Sequence, residues 1–245
     1  MHYINPNWPA PKNVTACSTT RSGGISKPPY NSFNFSLSTG DNSQNVLANR
    51  KKLFKELKLS QEPFWLNQKH TNTVISIERN IQSLPVIADA SFTTKVGQVC
   101  VIMTADCVPI LICDIQGKIV AAIHAGWRGI VEGIITNTIK NMNINPSQLI
   151  AWLGPAIGPR AFKVTQEIYD IFTAQIPNNR LAFAKCENGY LVNIYSLATN
   201  QLKHDGVTKI YGGEYCTFTQ KNLFYSYRRD GEKSGRMASL IWLNQ

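Results

Sequence analysis

The chain has 245 residues, 43% of them hydrophobic and 16% charged. That length supports a core without disulfide or metal staples, and the low charged share, against a usual one of about 25%, excludes a disordered chain. Lys and Arg number 25 against 15 Asp and Glu, a formal charge of +10, which favours anionic ligands: phosphates, nucleotides, nucleic acid or an acidic surface. No run of about 18 apolar residues exists, so no transmembrane helix is expected. The opening MHYINPNWPAPKN lacks the apolar stretch of a secretory signal. Six cysteines are too dilute for a disulfide scaffold and are expected as reduced thiols of a cytoplasmic protein. With no repeat and no linker, residues 1–245 are expected to form a single domain.

In chain order, Thr19 to Asn42 is rich in Gly, Ser, Pro and Asn and reads as loops around short strands. Gln44 to Leu57 has helical spacing, with Val46, Leu47, Leu53, Phe54 and Leu57 apolar and lysines between. Pro63 to Leu66 and Thr73 to Ile77 read as strands. The apolar runs 99–103 and 108–113 read as buried strands, and Lys118 to Ile123 as another. Ile130 to Asn141 reads as one helix, Leu149 to Leu153 as a strand, and Thr165 to Gln175 and Ile194 to Lys203 as helices. Gly206 to Tyr211, Phe224 to Tyr227 and Ser239 to Leu243 read as strands. The elements do not alternate strictly, so the expected fold is α+β (mixed α/β): layered mixed sheets flanked by helices rather than a doubly wound sheet.

Reactive residues gather where strands end, the positions from which rigid elements present chemistry. His70 lies in LNQKHTNTV, Asp106 and Cys107 in VIMTADCVPIL, and His124 with Trp127 and Arg128 in IVAAIHAGWRGI. Cysteines within apolar runs, such as Cys100 and Cys113, are ordinarily inert core residues; Cys107 interrupts such runs. Only four histidines exist, and His2 and His204 have weak contexts. Two imidazoles and a thiolate form a donor set with an open fourth position, as in catalytic zinc sites. Their spacing matches no local zinc motif, and a Cys107 nucleophile with His124 as base is the rival chemistry. Asp106 and Asp89 are the acidic candidates for proton transfer. Arg21, Arg50, Arg128 and Arg228 are candidates for clamping a phosphate. Basic residues are dispersed apart from 51–52 and 228–229, and no nucleic-acid-reading motif appears, so no nucleic-acid partner is expected.

TADCVPIL, AAIHAGWRGI, LGPAIGP and SYRRDG followed by GRMASLIWL, in that order, resemble the laccase-domain family. Its members are described both as multicopper polyphenol oxidases and as purine nucleoside phosphorylases. TTRSGGIS, NVLANRKKL, QKHTNTV and ADASFTT fit the same pattern, so the resemblance covers nearly the whole chain. It implies one zinc held by His70, Cys107 and His124. It implies phosphorolysis of adenosine, inosine, guanosine and methylthioadenosine, with deamination of adenosine beside it. It implies a fold of mixed sheets flanked by helices, related to a deamidase toxin domain that uses a Cys–His pair. Three positions depart from the pattern: Thr71 where Gly is common, Asn193-Ile194 where Asp-Leu is common, and a longer final loop, 230–236, with Ser234 in place of Thr. A multicopper oxidase needs a blue copper and a three-copper cluster held mostly by histidines. Four histidines cannot supply them, which discounts four-electron laccase chemistry; the zinc that the resemblance implies stays the expected metal, with copper at the same site as the second candidate. The alternatives to phosphorolysis are a metal-free Cys–His amide hydrolase and a copper-dependent phenol oxidase.

Overall fold

A computed structural model describes residues 3–78 and 86–244. In chain order it places β1 (Tyr3–Ile4), β2 (Val14–Thr19), α1 (Ser43–Glu56), β3 (Val74–Ser76), β4 (Ala90–Thr93), β5 (Val99–Thr104), β6 (Val108–Asp114) and β7 (Val120–Ala125). Next come α2 (Trp127–Val131), α3 (Ile134–Met142), β8 (Leu149–Leu153), β9 (Lys163–Val164), α4 (Gln166–Gln175), β10 (Phe183–Cys186) and β11 (Gly189–Val192). The chain ends through α5 (Ile194–His204), β12 (Lys209–Gly212), α6 (Tyr227–Asp230) and β13 (Met237–Leu243).

Two sheets lie face to face. One has the order β1-β2-β13-β5 and is antiparallel throughout. The other has the order β12-β8-β6-β7-β4-β3, antiparallel at its centre and parallel at both edges. A smaller sheet, β10-β11-β9, stands apart from them. The alternating side chains of β6 show why its sequence is a continuous apolar run. Ile110 and Ile112 pack with Ile134, Ile135 and Ile139 of α3 and Leu197 and Leu202 of α5. Leu111 and Cys113 turn the other way, onto Cys100, Ile102 and Ile241 of the first sheet. The far face of that sheet, with Val101, Leu240 and Trp242, is covered by Phe33, Phe35 and Leu53 of α1. The result is four layers, helix, sheet, sheet and helix. Strands buried on both faces lose the polar alternation of a half-solvated sheet.

The mixed-sheet expectation is met, with local differences. The expected helix Ile130 to Asn141 is two helices. Glu132 closes α2, and Gly133 adopts a left-handed φ of 88° before α3 begins. The apolar spacing runs through this break because both helices cover the same sheet. Phe224 and Tyr225 are fully buried, yet they form no strand; they lead into α6, whose cap is Ser226. Of Pro63 to Leu66 only Phe64 pairs, as an isolated bridge to Cys100. Gly206, at a left-handed φ of 92°, delays the last edge strand to Lys209. Among the described residues no helix is long and apolar enough to cross a membrane.

Candidate metal centre and cleft

Three adjacent strand ends build the centre. The β6–β7 register sets Val108 opposite Ala125 and Pro109 opposite His124. Cys107, just before β6, therefore meets the end of β7. On the other side of β7, the His124 amide donates to Asp89 O at 2.7 Å, which brings Asp89 beside His124. His70 arrives on the loop before β3, and that loop is pinned to β5 by Gln68. Its Nε2 donates to Met103 O and its Oε1 accepts from Met103 N, both at 2.8 Å.

The donor atoms of His70, Cys107 and His124 all lie within 4.8 Å of one another, with Cys107 Sγ 3.7 Å from His70 Nε2. His124 is buried, Cys107 half-buried and His70 exposed. Asp89, fully buried, organises the group. Its Oδ1 sits 2.7 Å from His124 Nδ1. A carboxylate can only accept, so that nitrogen carries the proton and Nε2 is left for the centre. The same carboxylate accepts from the backbone amides of Lys69, His70 and Thr71 and from the Thr71 hydroxyl. One side chain thus fixes both histidine segments, and it holds His70 at a left-handed φ of 60°. Such backbone costs of order 1–3 kcal/mol and persists only where its surroundings enforce it.

The charges are mutually dependent. Burial opposes ionisation of Cys107, but His124 and His70 outweigh it and hold the thiol down at about 6. Burial likewise opposes a charged His124, but Cys107 and Asp89 raise it to about 9. Asp89 is held at about 2, burial opposing and the bonds from His124 and Thr71 prevailing. At neutral pH Cys107 and His124 thus stand as thiolate and imidazolium; a borderline-soft divalent metal would take the thiolate and displace the proton on His124 Nε2. The backbone fits too. A Cβ at Gly126 would fall 2.8 Å from His70 Cδ2 and 2.9 Å from Cys107 Sγ; only glycine lets the donors converge there.

The centre opens into a cleft of about 570 Å³, within the roughly 300–1,000 Å³ of small-molecule sites. Trp127, Phe162 and Tyr227 supply aromatic surface, and Arg128, Arg228 and Arg236 supply positive charge. Of the expected arginines, Arg128 and Arg228 line this cleft, and Arg21 and Arg50 are not among its lining residues. Arg21 donates to the carbonyls of Asn31 and Lys221. Arg50 donates twice to Phe35 O and lies 3.9 Å over the Trp65 ring. Both guanidiniums tie framework loops. Asp106 borders the cleft at a left-handed φ of 93°. Its carboxylate accepts from Thr217 Oγ1 at 2.5 Å, Ser226 Oγ at 3.0 Å and the Arg228 amide at 2.6 Å. Those three bonds anchor the turn that presents Cys107. His204 is exposed at the end of α5, beside Asp205, and His2 lies outside the described residues.

Sequence reasoning alone misses Arg236, Gln68 and Thr217, whose partners are up to 202 residues distant. The only signal for Arg236 is its place inside GRMASLIWL.

The class is therefore a layered mixed-sheet protein with a His–Cys–His donor set at one end of its sheets. The family described as "Multi-copper polyphenol oxidoreductase laccase" matches residues 15–244, and the chain belongs to that family. It is 47% identical over 245 residues, 99% of each chain, to a Haemophilus influenzae protein named "Purine nucleoside phosphorylase". It is 47% identical over 240 residues, 98% of each chain, to the Escherichia coli "Purine nucleoside phosphorylase YfiH". Its fold matches the crystal structure of Neisseria meningitidis protein NMB0706, with a TM-score of 0.94, 42% identity and full coverage of both chains. It also matches YlmD from Geobacillus stearothermophilus, with a TM-score of 0.92 and 29% identity over 100% of this chain and 97% of that one.

Proposed function

We propose that this chain is a zinc-assisted purine nucleoside phosphorylase. It would take adenosine, inosine, guanosine or methylthioadenosine with phosphate to the free base and the pentose 1-phosphate, and would deaminate adenosine as a second activity. The observation that carries the reading is one donor set, His70, Cys107 and His124, opening into a cleft that holds both aromatic rings and guanidiniums. The names of relatives at 47% identity support it. Zinc suits a thiolate with two neutral imidazoles, and copper is the second candidate. When bound there, the metal supplies Lewis-acid polarisation of a phosphate or water oxygen.

The residues do the rest. Trp127, Phe162 and Tyr227 offer ring faces against which a purine packs. As the glycosidic bond breaks, its electron pair goes to the base and positive charge builds at the ribose carbon; a phosphate oxygen forms the new bond there, and the proton released by the hydrogen phosphate ends on the departing base. Arg128 and Arg228, which line the cleft, supply positive charge that draws the anionic phosphate in. Asp106, with three donors on its carboxylate, acts by positioning Cys107 and the Arg228 backbone rather than by moving a proton. Asp89 keeps the Nδ1 proton on His124 and so fixes the direction of Nε2.

Product analysis tests this. Metal-loaded protein given adenosine and phosphate is expected to yield adenine and ribose 1-phosphate, with no adenine when phosphate is omitted and none from Cys107→Ala. Inosine formed without phosphate would establish the deaminase activity.

One observation favours a second reading. Cys107, His124 and Asp89 also form a nucleophile, base and orienting carboxylate in sequence, the arrangement of a thiol amide hydrolase. Such an enzyme keeps its activity in a chelator, whereas the phosphorylase loses it.

A further inference from the structure

We propose that Arg236, immediately before the last strand, is the guanidinium that grips the attacking phosphate, in a subsite completed by the hydroxyls of residues 36–39. The inference deepens the phosphorylase reading and rests on it.

A guanidinium has five N–H donors, and the arginines around the cleft differ in how many are committed. Arg229 spends all of them. It donates to the carbonyls of Thr217, Phe218 and Phe224 and to both oxygens of Asp230. Arg236 donates only from Nη1, to Ser234 O at 2.7 Å and Gly235 O at 3.0 Å. Those two bonds fix the plane of the group. Its Nε and Nη2 donate to no protein group among the described residues, and they form the edge that meets two oxygens of a tetrahedral anion.

Position distinguishes Arg236 further. Arg128 and Arg228 are exposed, while Arg236 is half-buried and lines the cleft. Arg236 lines the same cavity as His70, Cys107 and His124, so an anion held by it shares the cleft with the donor set. Ser36, Ser38 and Thr39 line the same cavity. Their loop is tied to Arg236 through its backbone: the Arg236 amide donates to Asn34 Oδ1 at 2.9 Å, and Phe35 N donates to Arg236 O at 3.3 Å. A rigid cation with an open edge, held against a loop of hydroxyls, suits a dianion that needs several donors.

The test measures phosphate KM and nucleoside KM for metal-loaded wild type, Arg236→Gln and Arg236→Lys, together with the melting temperature of each with and without inorganic phosphate. Loss of a charged bidentate contact should raise phosphate KM about tenfold or more and leave nucleoside KM unchanged, with partial recovery in the lysine variant. Phosphate should raise the melting temperature of wild type and not that of Arg236→Gln. If circular dichroism shows Arg236→Gln to be unfolded, Arg236→Lys carries the comparison, since it keeps the charge and loses the fork. A folded Arg236→Gln with unchanged phosphate KM overturns the proposal, as does a change confined to nucleoside KM. If wild type turns over no nucleoside, the phosphorylase reading falls. Arg236-dependent stabilisation by phosphate would then still support an anion subsite, and its absence would overturn that as well.

Discussion

At Gly126 the centre depends on the absence of a side chain. Gly126→Ala is expected to cost metal rather than fold, because the new methyl enters the space between His70 and Cys107. The check is metal content beside a circular dichroism spectrum; wild-type metal content would refute it. Asp89→Asn leaves volume unchanged but replaces an acceptor with an amide facing His124 Nδ1 and three loop amides. A lower metal affinity of about 10–100-fold is expected, read by competition with a chromogenic chelator. The thiols give a third check. Burial pushes Cys17, Cys100 and Cys113 up to about 12. An ionised thiol is the reactive form, so these three should resist alkylation in the folded protein until the pH nears that value. In metal-free protein at neutral pH, Cys107 should be labelled, and added zinc should shield it; mass spectrometry of peptides decides. Legibility at this scale was uneven. Cys107 and His124 could be singled out because a reactive residue at the end of an apolar run has few structural reasons to be there; His70 lies in a polar stretch and joined them only through the donor set and its motif. Nothing local sets Arg21 and Arg50 apart from Arg128 and Arg228, and only tertiary partners show that their guanidiniums are committed to backbone carbonyls.

At the scale of elements, periodicity reported burial more faithfully than it reported boundaries. The central strands were legible because two-sided burial leaves continuous apolar runs. The α2–α3 break was hidden because Ile130, Ile134, Ile135 and Ile139 face one core on both sides of it. The buried pair Phe224 and Tyr225 imitates a strand, yet it plugs a loop: Phe224 packs against Tyr215, and the Tyr225 hydroxyl donates to Tyr30 O. Gly133 gives a clean test of the break. Its φ is 88° and a Cβ would meet nothing within 4 Å. Gly133→Ala should therefore lose only the left-handed backbone cost of about 1–2 kcal/mol, measured by chemical denaturation. A neutral result would mean that the two helices fuse without penalty.

At the scale of the whole molecule, the two large sheets share one interior. Trp152 and Leu111 from one sheet pack with Ile102 and Ile241 from the other. From that contact we propose that both sheets form one unit and unfold together. Tryptophan fluorescence and far-ultraviolet circular dichroism should then give coincident denaturant transitions. Leu111→Ala, fully buried between the layers, should move both by about 2–5 kcal/mol. Separate midpoints would refute the shared unit. The layered class was legible from non-alternating elements, whereas the pairing of β13 with both β2 and β5 joins segments more than 130 residues apart and leaves no trace in local pattern.

The donor set is graded in depth: His124 buried, Cys107 between, His70 at the surface on a loop fastened by Asp89 and Gln68. This imposes an order on exchange. A competing chelator would meet the exposed His70 before the half-buried Cys107 and the buried His124. For a metal held there, we expect the lifetime of the bound ion to follow how often the 68–71 loop opens, and substitutions at Gln68 to shorten it while leaving all three donors in place.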